Sequence, residues 1–291
     1  MFASTAALAR HGQARGYAVA AINILDDLSL RAVVAAATAL SSPVIVQVSV
    51  KTVRSIGVDL LTTTFRATAD RAPVPVALHL DHCPDRQVIA DCVAAGWSSV
   101  LFDASDRDLD RAEAETGEVV VLAHAAGVEV ESEIENIIGV EDGVGSDVSL
   151  HAYSVEELAA VAVRTGVDLL APQLGTAHGQ YSRAPVLLPD RVRELAKLSD
   201  LPIVLHGGTG LTESDFRTFI EAGVAKINIS TGLKLAYMTS ARDHLARAEA
   251  TGTWNPPAMF ADISRAVQAE VETHLHLFGS VGQAGAAASE R

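Results

Sequence analysis

Short apolar runs rich in Val, Ile, Leu and Ala alternate along this chain with longer stretches whose apolar residues recur at helical spacing. Residues 17–24, 44–49, 76–80, 98–102, 127–133, 168–171, 202–205 and 224–229 read as strands. Between them 26–40, 58–71, 85–95, 109–125, 154–165, 190–198 and 213–222 read as helices, and 231–250 and 257–277 follow the last strand. A further helix opens the chain, with Ser4 or Thr5 as its N-cap and Gly16 as its stop. Ser154, with Glu157 three residues on, has the form of a capping box. Two long loops, 134–151 and 172–189, break the rhythm. Strand–helix alternation implies a parallel sheet. Eight such units in 291 residues imply an α/β fold of the (β/α)8 TIM-barrel type, here with extra C-terminal helices. No G-x-G-x-x-G follows the first strand, which weighs against a doubly wound sheet. Residues 1–279 are expected to form one barrel domain, and 280–291, rich in Gly, Ala and Ser, a frayed tail.

Composition narrows the partners. The chain is 49% apolar but only 4% aromatic, so its core is built mainly of aliphatic side chains, as buried parallel strands require. Its net charge of −14 argues against general binding of nucleic acid or of an anionic membrane surface. An anion must then be held locally, by backbone N–H groups and a few basic residues. No apolar run approaches the length of a membrane span. Two cysteines, Cys83 and Cys92, make neither a disulfide framework nor a zinc-finger spacing, and fit a reducing cytoplasm.

The strand ends carry the chemistry. In a closed parallel barrel the C-terminal ends of all strands share one rim, where the active sites of this fold are built. In chain order those ends hold Asn23, Ser49, Asp81 with His82, Asp103, Glu131 with Glu133, Gly175 to His178, His206 and Asn228. A polar or ionisable group at every strand end is hard to attribute to packing. Three are histidines: His82, His178 and His206. Any one alone reads as a hydrogen-bonded residue. Three neutral imidazoles around an open fourth position are a common way to hold a catalytic zinc. Asp81 and Asp103 admit a second reading, as N-caps of the helices that follow. Glu129, Glu131 and Glu133 alternate and so share one strand face. Carboxylates inside a barrel need metal, positive charge or water; Glu131 and Glu133 are expected near the rim and Glu129 deeper and paired.

Gly207-Gly208-Thr209-Gly210 follows the seventh strand and Ser230-Thr231 the eighth. Loops at those two places often bind phosphate in this fold, at a helix N-terminus. A glycine turn that merely connects two elements is the alternative for GGTG alone; its pairing with INIST and Gly179 favours the phosphate reading.

With HLDH, GTAHG and LHGG in this order, the chain resembles the class II, metal-dependent ketose-bisphosphate aldolases, the fructose- and tagatose-bisphosphate aldolase family. The resemblance runs from about Ser4 to Gly279 and includes GYAVAAINI, PVIVQVS, VEVESEIE and KINIST. It implies a lyase that cleaves a phosphorylated ketose to dihydroxyacetone phosphate and an aldehyde, with His82, His178 and His206 holding zinc. It also implies Asp81 as the proton donor to the hydroxyl at the reacting carbon, and Asp103 and Glu133 as ligands of a second metal in some members. Gly179, Gly207, Gly208, Thr209, Asn228, Ser230 and Thr231 would bind the dihydroxyacetone phosphate part, with Asn23 and Ser49 lining the site. Glu141 matches a mobile-loop carboxylate that moves a proton at the nucleophilic carbon. Beside the catalytic ion, the resemblance implies a second metal or a monovalent cation, and a homo-oligomer, dimer or tetramer.

Departures from the family pattern locate the open questions. The stretch after the strand-five carboxylates is usually Gly-rich, and here reads ENIIGVEDG. Lys51 stands where glycine is common. The C-terminal segment WNPPAMFADIS has no arginine before Arg265 to meet a second phosphate, which leaves Lys51 and Arg54 to supply that charge, or a different aldehyde. Fructose 1,6-bisphosphate, tagatose 1,6-bisphosphate and 6-phospho-5-dehydro-2-deoxy-D-gluconate are the candidate substrates. A barrel metallohydrolase would lack the phosphate cradle. A non-catalytic sugar-phosphate-binding relative would have lost a histidine or Asp81, and none is lost.

Overall fold

The computed structural model describes residues 2–148, 150–179, 181 and 184–289. Ten strands run in chain order as β1 (Val19–Asn23), β2 (Val44–Ser49), β3 (Val76–Cys83), β4 (Ser99–Asp103), β5 (Glu129–Glu133), β6 (Gly139–Glu141), β7 (Val144–Ser146), β8 (Leu169–Leu170), β9 (Ile203–Leu205) and β10 (Val224–Ile229). Eight of them close a barrel in the order β1-β10-β9-β8-β5-β4-β3-β2, every pairing parallel. The α/β barrel expected from the alternation is therefore the fold. Every residue of β1, β2, β3, β4 and β10 is buried, as strands covered on both faces must be.

The helices are α1 (Thr5–Arg15), α2 (Asp27–Ala39), α3 (Val50–Ile56), α4 (Val58–Ala69), α5 (Arg86–Ala94), α6 (Leu109–His124), α7 (Val155–Thr165), α8 (Pro189–Leu198), α9 (Glu213–Ala222), α10 (Thr231–Thr251), α11 (Pro256–Leu277) and α12 (Ala284–Ser289). Their starts are written in the sequence. Ser4, Asp26, Asp85, Asp108, Ser154 and Thr212 each accept a hydrogen bond from a first-turn backbone N–H, which satisfies donors the helix cannot. The caps of α5 and α6 are thus Asp85 and Asp108. Asp81 and Asp103 are left for other work. α11 packs between α10 and α2. No helix among the described residues is long and apolar enough to cross a membrane.

Three segments differ from the expectation. Ser49 caps a short helix, α3, which Gly57 ends; seven residues are too few for a periodic signal. The loop 134–151 contains a two-stranded antiparallel sheet, β6 with β7. Its two-residue turn is Asp142-Gly143, with φ of 52° and 89°, the paired left-handed conformation that Asp-Gly adopts in tight hairpins. Past Gly279, where a frayed tail was expected, Ser280 is buried against the Ser42 hydroxyl at 2.8 Å. The N–H groups of Gly282 and Ala284 donate to Leu40 and Ser41. These contacts tie the segment to the end of α2. Cys83 and Cys92 are buried thiols, and burial pushes Cys83 up to about 12 and Cys92 higher still.

Candidate active site

Neighbouring residues on a strand point to opposite faces, yet Asp81 and His82 both reach the barrel interior. A break in the ladder allows it. β3 pairs with β4 in register through Leu80, then shifts so that Cys83 faces Phe102. His82 there takes φ of 42°, left-handed backbone that a non-glycine residue seldom adopts. Such a bulge re-aims a side chain, and the conformation persists where surrounding contacts over-determine it.

Those contacts are the other histidines and their carboxylates. His82 Nε2 lies 3.0 Å from His206 Nδ1. The His82 ring stands edge-on to both His178 and His206, with centroids 4.7 Å away in each case. One ring nitrogen from each of the three lies within 4.8 Å of the others. Asp103 Oδ2 is 3.3 Å and Glu133 Oε2 3.5 Å from His82 Nδ1. Glu133 Oε2 is also 3.3 Å from His206 Nδ1. His206 Nε2 meets Glu131 Oε1 at 2.9 Å.

The donor set fits a divalent ion. Burial, with His82 and His206 nearby, holds His178 well below its ordinary pKa, so it carries the neutral, ligating imidazole. Burial opposes charge on His82 and His206 too, but Asp81 and Glu133 beside the first and Glu131 and Glu133 beside the second raise both. Carboxylates that favour a proton on these rings favour a bound cation at the same place. His82, Asp103 and Glu133 form a second group with ligand atoms within 4.8 Å, so the two acids expected as a second ligand set do meet.

Asp81 is aimed from two sides. Asn23 Nδ2 donates to Oδ2 at 2.7 Å and Asn228 Nδ2 to Oδ1 at 3.2 Å. Gln47 Nε2 donates to Asn23 Oδ1 at 2.8 Å and fixes that amide in turn; nothing in the strand pattern singled Gln47 out. Burial alone would push the Asp81 carboxyl up, but His82, followed by His206, Lys226 and His79, brings it down to about 2.

The phosphate candidates gather where β9 and β10 end. Gly207 has φ of 66°, and a Cβ there would fall 2.4 Å from the Ala177 carbonyl oxygen, so the turn needs glycine. Thr209 Oγ1 accepts from the Gly232 N–H at 3.1 Å, tying this loop to the first turn of α10. Ser230 Oγ and Asn228 Oδ1 are buried with no hydrogen-bond partner among the described residues. Buried polar atoms are rarely left so; beside a helix N-terminus the Ser230 hydroxyl can donate to an anionic ligand, while the Asn228 oxygen can only accept, as from a ligand hydroxyl. Gly179 has φ of 87° and Thr231 opens α10. Of the basic residues expected to meet a far phosphate, Lys51 is exposed on α3, while Arg54 is turned to Asp85, 2.6 Å away.

The β6–β7 hairpin is joined to the histidine site. The His178 N–H donates to the Ile138 carbonyl at 2.8 Å, and Lys234 Nζ on α10 meets Asp142 Oδ1 at 2.9 Å. Glu141 ends β6; its side chain lies outside the described part of the structure. At the hairpin's base sit residues the sequence reading missed. The fully buried Glu135 accepts from the N–H groups of Tyr153 at 2.8 Å and Gln173 at 3.0 Å, and from Arg191 at 2.7 Å. Arg191 also donates to the carbonyls of Tyr153 and Gln173. Asn136 bonds Val148 and Leu150 across the loop. The only local signal was Glu135-Asn136 inside a stretch that is usually Gly-rich. Arg191→Met would leave the buried Glu135 carboxylate without its counter-charge, so unfolding free energy should fall by about 3 kcal/mol. Urea denaturation would show this, and the Glu135→Gln, Arg191→Met double variant should recover much of the loss.

Residues 3–283 match the family model described as "Fructose-bisphosphate aldolase class-II". The fructose-bisphosphate aldolase of Streptococcus pyogenes serotype M1 is 33% identical over 92% of this chain and 94% of its own length. The sulfofructosephosphate aldolase of Alkalicoccus urumqiensis is 34% identical over 76% of this chain and 78% of its own. Among solved structures, the YdjI aldolase from Escherichia coli K12 superposes with a TM-score of 0.85 at 28% identity, covering 98% of this chain and all of that one.

Proposed function

Because the chain belongs to the class II fructose-bisphosphate aldolase family, carbon–carbon lyases of phosphorylated sugars, we propose that it is a zinc-dependent aldolase. Its reaction is the reversible cleavage of fructose 1,6-bisphosphate or tagatose 1,6-bisphosphate to dihydroxyacetone phosphate and an aldehyde. One observation carries this reading: a three-histidine cluster lies against an amide-held Asp81, with Asn228 contributing both to Asp81 and to the polar end of β10. His82, His178 and His206 would hold the ion. Bound there, it supplies a Lewis acid for the ketose oxygens and makes the neighbouring C–H acidic.

The remaining work falls to side chains. Asp81 is ionised at rest, since its carboxyl is held near 2. In the cleavage direction that is the state the reaction needs: the carboxylate takes the proton of the hydroxyl on the carbon that becomes the aldehyde. In the condensation direction the same group, now protonated, returns it. Asn23 and Asn228 hold both carboxylate oxygens in place, so no reorientation is required. Ser230 at the start of α10 and the Gly207–Thr209 turn after β9 take the phosphate of the dihydroxyacetone part. Glu141, carried on the hairpin, moves the proton at the nucleophilic carbon as the hairpin closes over substrate.

One observation favours a second reading of the far end of the substrate. Arg54 is partnered by Asp85, and the segment before Arg265 has no arginine. That end suits a ketose whose second group carries less negative charge than a phosphate, such as the sulfo group of sulfofructose phosphate or the carboxylate of the 2-deoxy-gluconate compound. A coupled assay for dihydroxyacetone phosphate, run on these substrates with EDTA and then with added zinc, tests both readings. Cleavage of a bisphosphate that EDTA abolishes and zinc restores is expected. Inert zinc-loaded protein on every substrate would sink the assignment.

A further inference from the structure

Barrel interiors of this kind are filled by layers of branched apolar side chains. One layer below the histidines, this barrel instead holds Lys226, Glu131 and His79, all fully buried. Lys226 Nζ meets Glu131 Oε2 at 2.7 Å. His79 turns Nδ1 to the Ser99 hydroxyl at 2.7 Å and Nε2 toward Glu131 Oε2 at 3.7 Å. A buried ion pair is no gain to the fold: apolar residues of the same volume usually serve as well or better. The pair therefore calls for a use.

The other oxygen of Glu131 supplies one. Oε1 lies 2.9 Å from His206 Nε2, and an ionised carboxylate only accepts hydrogen bonds. Glu133 Oε2, 3.3 Å from Nδ1, would draw a second proton there; in the neutral imidazole that a metal ligand requires, Nε2 carries the hydrogen and donates it to Glu131, which leaves the lone pair on Nδ1. That is the nitrogen facing His82 Nε2 at 3.0 Å, inside the three-histidine cluster. We propose that Lys226 is a positioning residue for the metal: it pins Glu131 by one oxygen so that the other fixes His206 with Nδ1 turned into the site. The inference rests on reading the three histidines as the metal site. Lys226 touches none of the reacting atoms; it acts through Glu131 and His206. Without it, the partner left to Oε2 among the described residues is His79 at 3.7 Å, and the carboxylate is no longer held to one rotamer under the imidazole.

Zinc affinity measured by competition with a chromophoric chelator tests this without any activity assay. Lys226→Met should weaken zinc binding about 10- to 100-fold, the usual effect of removing a partner that orients a ligand. Because that variant strands a buried carboxylate, the Lys226→Met, Glu131→Gln double variant is measured beside it, with thermal unfolding of both apo proteins. The double variant should regain stability and still bind zinc at least about 10-fold more weakly than the parent chain. A double variant that binds zinc like the parent would overturn the inference and make the pair a matter of packing alone. A parent chain that binds no zinc would instead overturn the metal-site reading, and this inference with it.

Discussion

His178→Ala should lower kcat/KM for ketose-phosphate cleavage about a thousandfold: Lewis-acid stabilisation of roughly 4 kcal/mol is lost, at about 1.4 kcal/mol for each factor of ten. His178 is the histidine to change first. Replacing His206 would take from the buried Glu131 the partner of its Oε1, and replacing His82 would release a bulge with φ of 42°, so either loss would mix folding with chemistry. His178 lies on the loop after β8 and is half-buried, and its main chain, which holds Ile138, survives the change. Zinc content and cleavage should fall together while apo-protein unfolding stays near that of the parent. Parent-like cleavage by a variant that retains no zinc would remove the metal from the reaction.

Much of this site is legible in the sequence because its residues end strands. A strand in a parallel barrel must stop at the rim, so the last polar residue of each apolar run falls at a known height. That places Asn23, Asp103, Glu133, His206 and Asn228 without any structure. Position along a strand does not reveal which way a bulge turns a residue. Alternation alone would send either Asp81 or His82 outward, and only the register shift beyond Leu80 brings both inside. Lys226 is legible as a strand residue but its role is not, because its partner Glu131 is far away in sequence and the bond between them depends on barrel closure. The β6–β7 hairpin was missed for a different reason. Asp142-Gly143 is a strong turn signal, but it sits between strands of three residues, too short for alternation to register. The clamp of Glu135 on Arg191 joins four positions distant in sequence, 135, 153, 173 and 191, and no local pattern encodes such a meeting. Glu129, expected deeper and paired, does lie deeper: it accepts from the Ser4 hydroxyl and from the Ala6 N–H at the start of α1.

Asp81→Asn separates the two proton transfers of the proposed reaction and carries the other large effect. The amide cannot take the hydroxyl proton, so kcat for cleavage should fall about 100- to 10,000-fold. The shape of the side chain is kept, and its nearest contacts are the amides of Asn23 and Asn228 rather than a packed apolar surface. Zinc content should therefore stay at the parent level, and KM should change far less than kcat. The discriminating readout is solvent exchange of the C–H proton of dihydroxyacetone phosphate, followed by NMR in deuterated water. In the proposed reaction that proton belongs to Glu141 on the hairpin, and Asp81 serves only the aldehyde side. Exchange should persist in Asp81→Asn while cleavage is lost; Glu141→Gln should lose both. If Asp81→Asn abolishes exchange as completely as cleavage, with zinc still bound, Asp81 acts at the nucleophilic carbon. The division of labour between the rim carboxylate and the hairpin would then be reversed.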